Sequence, residues 1–302
     1  MDTTVIIEYI SSHTQFKVEG ISLIGRGATA SVYRVKTADG PYNLVVKYSS
    51  NAELLTQEYK QIKFINDRVD CKLPNLYHFG KAENGFAVMI MEYFDGVSAN
   101  KLKYTRKVKR ILPDMVIDNL LKIQSVHNDK YGHINNAVYD TWYDYYSEFA
   151  KEIYEYTFHL YCSKRIEKNV FKAVELSYKK LELILNKCHG KPTLIHGDYW
   201  QPNFIIDKKT YELIGVIDPF NVIWAEPEYE LFQLTTGGNR KLKLYNNYKR
   251  KVSATDYCDL KTEMYALYNE LLWHKKLGDV SHSYLLYRSK RLIKQMKKHK
   301  LL

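Results

Sequence analysis

Through the first third of the chain, apolar residues come in short β-branched and aromatic stretches broken by Gly and polar residues. Residues 16–24, 31–36 and 43–48 read as strands on that pattern. The period then changes: Leu54, Leu55, Ile62 and Ile65 recur at helical spacing across residues 52–67, with no Gly or Pro to interrupt them. Two further strand-like segments, 75–80 and 86–93, are joined through the turn Glu83-Asn84-Gly85. The prediction is a small N-terminal antiparallel β-sheet lobe with one helix, residues 1–96, closed by the linker Phe94-Asp95-Gly96. Beyond it, residues 97–302 form a larger, mainly helical lobe. Helices are expected over 113–127, with Pro113 in the first turn, and over 141–162 and 165–188. A β-rich insert, 192–219, interrupts them, so the fold class is α+β.

Composition narrows the function classes. The chain has 302 residues, 45% of them hydrophobic and 14% aromatic, which is enough for real cores and excludes disorder as the main state. Four cysteines, Cys71, Cys162, Cys188 and Cys258, form no CxxC pair, so neither a disulfide framework nor a zinc knuckle is expected, and a reducing cytoplasm is the simplest home. Asp2 and Glu8 near the start and an apolar run of only residues 86–91 predict neither export nor a membrane anchor. The net charge of +11 invites a nucleic-acid reading, but residues 101–110 and 281–302 alone carry +13, leaving −2 for the remainder. In the tail, Leu285, Leu286, Leu292, Ile293 and Met296 keep helical spacing. A terminal amphipathic helix with a solvated Lys side accounts for it, and nucleic acid is disfavoured as a partner.

The strongest chemical signal is His196-Gly197-Asp198 with Asn203 five residues after the Asp, an apolar strand, and Asp218 at the end of a second strand. Asp198 can accept or orient a hydroxyl proton, while Asn203 and Asp218 offer hard oxygen ligands suited to Mg²⁺. Each alone is an ordinary turn residue; the joint spacing favours chemistry. Upstream, Gly25, Gly27 and Ser31 belong to a small-residue turn between two strands, and Lys47 ends the next strand. Such a turn lets backbone N–H groups approach phosphate oxygens that the Lys can neutralise. Glu58, on the following helix, is placed to pair with Lys47.

In that order these motifs resemble the protein-kinase-like superfamily, and within it the aminoglycoside phosphotransferases with their choline-kinase and fructosamine-kinase relatives. The resemblance covers most of the chain and rests on the turn 25–31, Lys47, Glu58, residues 89–96, HGDYWQPN at 196–203 and IDPF at 217–220. It implies a bilobal kinase-like fold, ATP and Mg²⁺ as cofactors, Asp198 as catalytic base, Asn203 and Asp218 as metal ligands, and adenine against the backbone of Glu92, Tyr93 and Phe94. His196 would pack and orient. Departures are Ala30 for the loop's third Gly, Pro219-Phe220 after the metal Asp, and Glu230 where the family usually has Asp.

The acceptor is read least directly. Asp140, Asp144, Glu148, Glu152 and Glu155 line one helix face, which is either a solvated stripe relieved by nearby Lys or an attraction for a cationic acceptor. Trp142 could stack on a sugar ring, and Glu226 and Glu230 could add to the field. The first expectation is an O-phosphotransferase acting on a small cationic molecule, such as an aminoglycoside-like antibiotic or amino sugar. The alternatives are a metabolic kinase for a sugar, fructosamine or choline, and a nucleotide-binding pseudokinase serving as an interaction module.

Overall fold

The computed structural model describes residues 3–27, 30–186, 190–278 and 281–302. In chain order the first elements are α1 (Thr3–His13), β1 (Val18–Arg26), β2 (Ser31–Thr37), β3 (Asn43–Ser49), α2 (Ala52–Asn66), β4 (Leu76–Lys81), β5 (Ala87–Glu92), β6 (Val97–Ser98) and α3 (Arg106–Gln124). Then follow β7 (Tyr131–His133), β8 (Asn136–Tyr139), α4 (Trp142–Cys162), α5 (Lys168–Lys179), α6 (Leu181–Leu185) and β9 (Thr193–Leu194). The remainder is β10 (Phe204–Ile206), β11 (Leu213–Val216), β12 (Ile223–Ala225), α7 (Gly237–Lys241), α8 (Leu244–Lys251), α9 (Cys258–Leu277) and α10 (His282–Lys298).

Two compact units result. The first joins Met1–Ile123 to Gln201–Asn221, and the second joins Gln124–Trp200 to Val222–Leu302.

In the first unit an antiparallel sheet runs β1-β2-β3-β5-β4, with the five strands within two residues of their predicted limits. A second helix joins the expected one. Along α1, Ile6, Tyr9 and Ile10 share a face and are buried with Tyr33, Val35, Val46 and Ile90 of the sheet. Asn51 caps α2 by accepting the Leu54 N–H at 3.1 Å. A second sheet, β11-β10-β6, returns residues 204–216 to the strand that follows the linker. Close approach there leaves no space for side chains: a Cβ on Gly96 would lie 2.6 Å from the Ile206 carbonyl oxygen, and one on Gly215 would lie 2.2 Å from the Phe94 ring.

Pro113 lies inside α3 rather than in its first turn, a correction with a physical cause. The Lys and Arg of residues 106–110 are good helix formers and start the helix two turns earlier.

The second unit packs helices around a sheet ordered β8-β7-β12-β9. Thr141 caps α4: its hydroxyl oxygen accepts the Asp144 N–H at 3.0 Å, and the hydroxyl donates to the Asp144 carboxylate at 2.6 Å. Residues 165–188 form two helices, α5 and α6, with Cys188 outside the described residues. Most of the circumference of α9 is buried, including Lys261 and Glu263, and α10 closes the unit with Leu285, Leu292 and Met296 inside, as the tail's spacing predicts. No described helix is long and apolar enough to cross a membrane. Cys71, Cys162 and Cys258 are free thiols.

Candidate active site

The first unit gathers Lys47, Glu58, Asn203 and Asp218. Strand β3, hydrogen-bonded on both sides, carries Lys47 inward, and α2 presents Glu58 to it with Nζ to Oε1 at 2.5 Å. The same ammonium pairs with the Asp218 carboxylate. Burial draws the Lys47 pKa down, but Asp218 and then Glu58 more than offset it, and the ammonium ends above the ordinary lysine range. Burial raises the Glu58 carboxyl, with Lys47 pulling the other way.

Asp218 follows β11 with φ of 57°, a left-handed backbone that costs a non-Gly residue about 1 kcal/mol or more. Across the hairpin, Phe204 pairs with Val216, and the Ile217 N–H donates to the Asn203 carbonyl at 3.0 Å. Asn203 and Asp218 therefore emerge side by side from one hairpin.

Gly25 pairs with Val32, and the Gly27 N–H closes the turn onto the Ala30 carbonyl at 2.9 Å; Ala28 and Thr29 lie outside the described residues. Neither glycine has positive φ, and an added Cβ would meet only ordinary contacts, at 3.9 Å for Gly25 and 3.6 Å for Gly27. Folding alone does not demand glycine here, whereas close approach of a ligand phosphate would. Ser31 pairs with Arg26 and Tyr48 in the sheet. Gly27→Ala is expected to hold Tm within about 2 °C and to raise the KM for ATP about fivefold, the size of roughly 1 kcal/mol. Thermal melts beside nucleotide kinetics check this; a lost Tm with unchanged KM would make the glycine a folding residue.

At the end of β5 the Glu92 N–H goes to the Asn75 carbonyl at 2.9 Å, and its carboxylate accepts from the Asn75 N–H and side chain at 3.1 and 2.9 Å. Tyr93 lies under the Arg34 guanidinium, 4.6 Å from its ring centroid, and Phe94 covers Gly215.

The second unit holds the HGD segment. His196 is fully buried, its Nδ1 accepting the Asp198 N–H at 3.3 Å, and its ring meets Tyr199 edge-on. The Trp200 indole N–H donates to the Asp198 carboxylate at 3.1 Å. Gly197 takes φ of 79° to make the turn.

What fixes this loop is a residue the sequence placed elsewhere. Glu230, expected on the substrate side, is 1% exposed and accepts the His196 N–H at 2.7 Å and the Gly197 N–H at 3.1 Å. Its carboxylate holds the loop's backbone and is not presented to a substrate. Gln233, which sequence reasoning missed, donates to the Gly197 carbonyl at 2.9 Å; its only signal was its position three residues after Glu230.

Burial pushes the Glu230 carboxyl up to about 7, against the pull of the Gly197 and His196 N–H donors. The folded protein therefore retains a proton that the unfolded chain releases near 4.5, and stability should fall as pH rises from about 4.5 through 7. Glu230→Gln is expected to remove about 3 kcal/mol of that decline, compared with wild type by denaturant unfolding at pH 5 and pH 8. An unchanged difference between the two pH values would refute it.

Trp142, Asp144, Glu148 and Glu226 are also placed. Trp142 is 2% exposed, donates its indole N–H to Tyr265 at 2.8 Å and has no open ring face for a sugar. Glu226 is buried on Lys261 at 2.6 Å. Asp144 serves the α4 cap. Asp140 pairs with Lys130, Glu152 with Lys275 at 2.8 Å and Glu155 with Lys151 at 3.8 Å, so nearby Lys residues relieve most of the stripe; Glu148 lies near Tyr145.

A sequence profile described as fructosamine kinase matches residues 2–298. A search of curated proteins finds no match. Among solved structures, a putative fructosamine-3-kinase from Haemophilus somnus 129PT superposes with a TM-score of 0.66 at 15% identity, covering 97% of this chain and 96% of that one. Aminoglycoside phosphotransferase APH(4)-Ia gives 0.70 at 15% identity, covering 97% and 99%. A thermostable mutant of APH(4)-Ia in ternary complex with AMP-PNP and hygromycin B gives 0.72 at 14% identity, covering 97% and 98%. At these identities the superpositions speak for the kinase-like fold.

Proposed function

Because the chain belongs to the fructosamine kinase family and is a small-molecule kinase acting on a hydroxyl group, we propose that it transfers the γ-phosphoryl group of ATP to a fructosamine-type sugar amine. The observation that carries this reading is the buried Lys47 ammonium held between Glu58 and Asp218 in the unit that also presents Asn203 beside Asp218. The family match moves the preferred acceptor from an aminoglycoside-like antibiotic to the fructosamine first held as an alternative. Charge supports the change, since the acidic stripe is largely neutralised by Lys residues of its own unit.

The donor set suits Mg²⁺, which binds through one or two protein oxygens and completes its shell with water and phosphate. Among the described residues no group of three His, Cys, Asp or Glu could hold a metal, so an ion here would rest on Asn203, Asp218 and nucleotide phosphates. Bound there, Mg²⁺ would neutralise phosphate charge during transfer. Lys47 would bind the phosphates, the turn containing Gly25, Gly27 and Ser31 would cover them, and the backbone of Tyr93 and Phe94 would meet the base, the Glu92 N–H being committed to Asn75. Residues 1–96 would then make up the nucleotide lobe. Asp198, one oxygen fixed by Trp200, would receive or orient the acceptor's hydroxyl proton. Glu230 and Gln233 act as positioning residues behind it.

ADP release from purified protein with Mg²⁺ and ATP, across fructosamines, aminoglycosides, amino sugars and choline, tests the assignment. Release dependent on a fructosamine supports it. Release with aminoglycosides alone would restore the antibiotic reading, and ATP binding without any acceptor-dependent release would favour a binding-only role.

A further inference from the structure

Within the second unit, a cavity of about 160 Å³ lies among the stretch after Gln233, the loop between α7 and α8, and α10. Four of its lining residues are cations: Arg240, Lys243, Arg288 and Arg291; Thr235 and Tyr287 add hydroxyls. Their pairing is uneven. Arg288, 2% exposed, and Arg291 share the Glu263 carboxylate at 3.1 and 2.6 Å, and Arg288 also faces Glu270. Among the described residues the Arg240 guanidinium donates a long 3.4 Å bond to the Tyr287 hydroxyl, and neither it nor Lys243 pairs with a carboxylate. A concave site with this excess of positive charge attracts an oxyanion, for which guanidinium groups provide matched pairs of donors. The volume admits a carboxylate or phosphate head group.

The cavity is tied to the catalytic loop. Gln233 donates to the Gly197 carbonyl at 2.9 Å, and Asn239 donates to the Tyr199 and Gln233 carbonyls at 3.3 and 3.0 Å. Leu234 and Thr235, the next residues, line the cavity, so its wall begins about 4–8 Å of chain beyond the group that holds the residue before Asp198.

We propose that this cavity is an oxyanion subsite for the acceptor, so that the substrate is a sugar amine bearing a carboxylate or phosphate as well as the hydroxyl to be phosphorylated. The inference rests on the kinase reading above and narrows it.

The test compares acceptors that differ in one charge: fructosylglycine against its amide, and a phosphorylated fructosamine against the unphosphorylated compound. Each is run with wild type, the Arg240→Ala/Lys243→Ala protein and Lys172→Ala as an exposed-charge control, and inorganic phosphate binding is measured by calorimetry. Wild type and the control should favour the anionic member about tenfold in KM, the size of one charge-assisted hydrogen bond, and the double variant should bring the ratio close to one while weakening phosphate binding to a similar degree. Comparison of the two pairs decides between carboxylate and phosphate. Equal KM values within both pairs, or a preference that survives in the double variant, would overturn the subsite while leaving the kinase reading intact. If no acceptor is turned over, the kinase reading fails, and the titration alone decides the site: equal phosphate binding by wild type and double variant overturns it, and binding lost only in the double variant sustains it as an oxyanion site.

Discussion

Asp198→Asn is expected to lower kcat by about 10²-fold or more while the KM for ATP stays within about twofold. The substitution keeps the shape, and the amide oxygen can still accept the Trp200 indole N–H that holds Asp198 at 3.1 Å. What is lost is the charge proposed to receive or orient the acceptor proton. The nucleotide contacts proposed for Lys47, Asn203 and Asp218 belong to the other compact unit and are untouched. Steady-state kinetics with whichever acceptor supports ADP release, beside a melting curve, would check it. Turnover at the wild-type rate would remove Asp198 from the role.

The largest stability effect should come from Lys261→Met. Lys261 is fully buried in α9, 2.6 Å from Glu226 and 2.6 Å from Glu228. Tyr265 also donates to Glu226, and the Thr255 N–H and hydroxyl both reach Glu228 at 2.7 Å. Although burial works against ionisation, Lys261 and Thr255 hold the Glu228 carboxyl below the usual range. Removing the ammonium strands two carboxylates in an apolar setting, at a cost of about 3–5 kcal/mol. A fall in Tm on the order of 10 °C should follow. Adding Glu226→Gln and Glu228→Gln should recover part of it, because the stranded charges go too. A Tm within about 2 °C of wild type for the single variant would show that the cluster contributes no net stability.

Local order was the most legible property of the sequence. The five strands of the first sheet, α2 and α4 stand where residue pattern puts them, since each depends on side chains a few positions apart. Glu58 pairs with Lys47 because a strand and the helix after it face each other, and Asn203 and Asp218 leave one tight hairpin. Other roles depend on partners distant in the chain. Glu230 reads as an exposed acid near a loop until backbone N–H groups 33 and 34 residues away are found to claim it. Lys261 lies in a helix so evenly buried that no amphipathic stripe marks its face. Of the cavity's cations, Arg288 and Arg291 fall in the basic tail, whose spacing presents it as a helix with a solvated Lys side, while Arg240 and Lys243 lie more than forty residues earlier, so nothing local joins the four. Pro113 sits two turns inside α3 because the Lys and Arg before it are helix formers as well as charges.

The sheet β11-β10-β6 has a consequence for how the protein is made. Its strand β6 ends at residue 98, but its partner in β10 begins at residue 204, so about a hundred residues must be synthesised between them. At a typical ribosomal rate of 5–20 residues per second, the first unit waits on the order of 5–20 s before Ser98 can find Ile205 and Lys47 can find Asp218. Until then the nascent N-terminal segment carries an unpaired strand edge, and nothing fills the surface that Gly96 keeps clear for the Ile206 carbonyl. This part of the molecule therefore completes its fold late and through contacts of long sequence separation, which places its vulnerability to misassembly during translation and not in the finished protein.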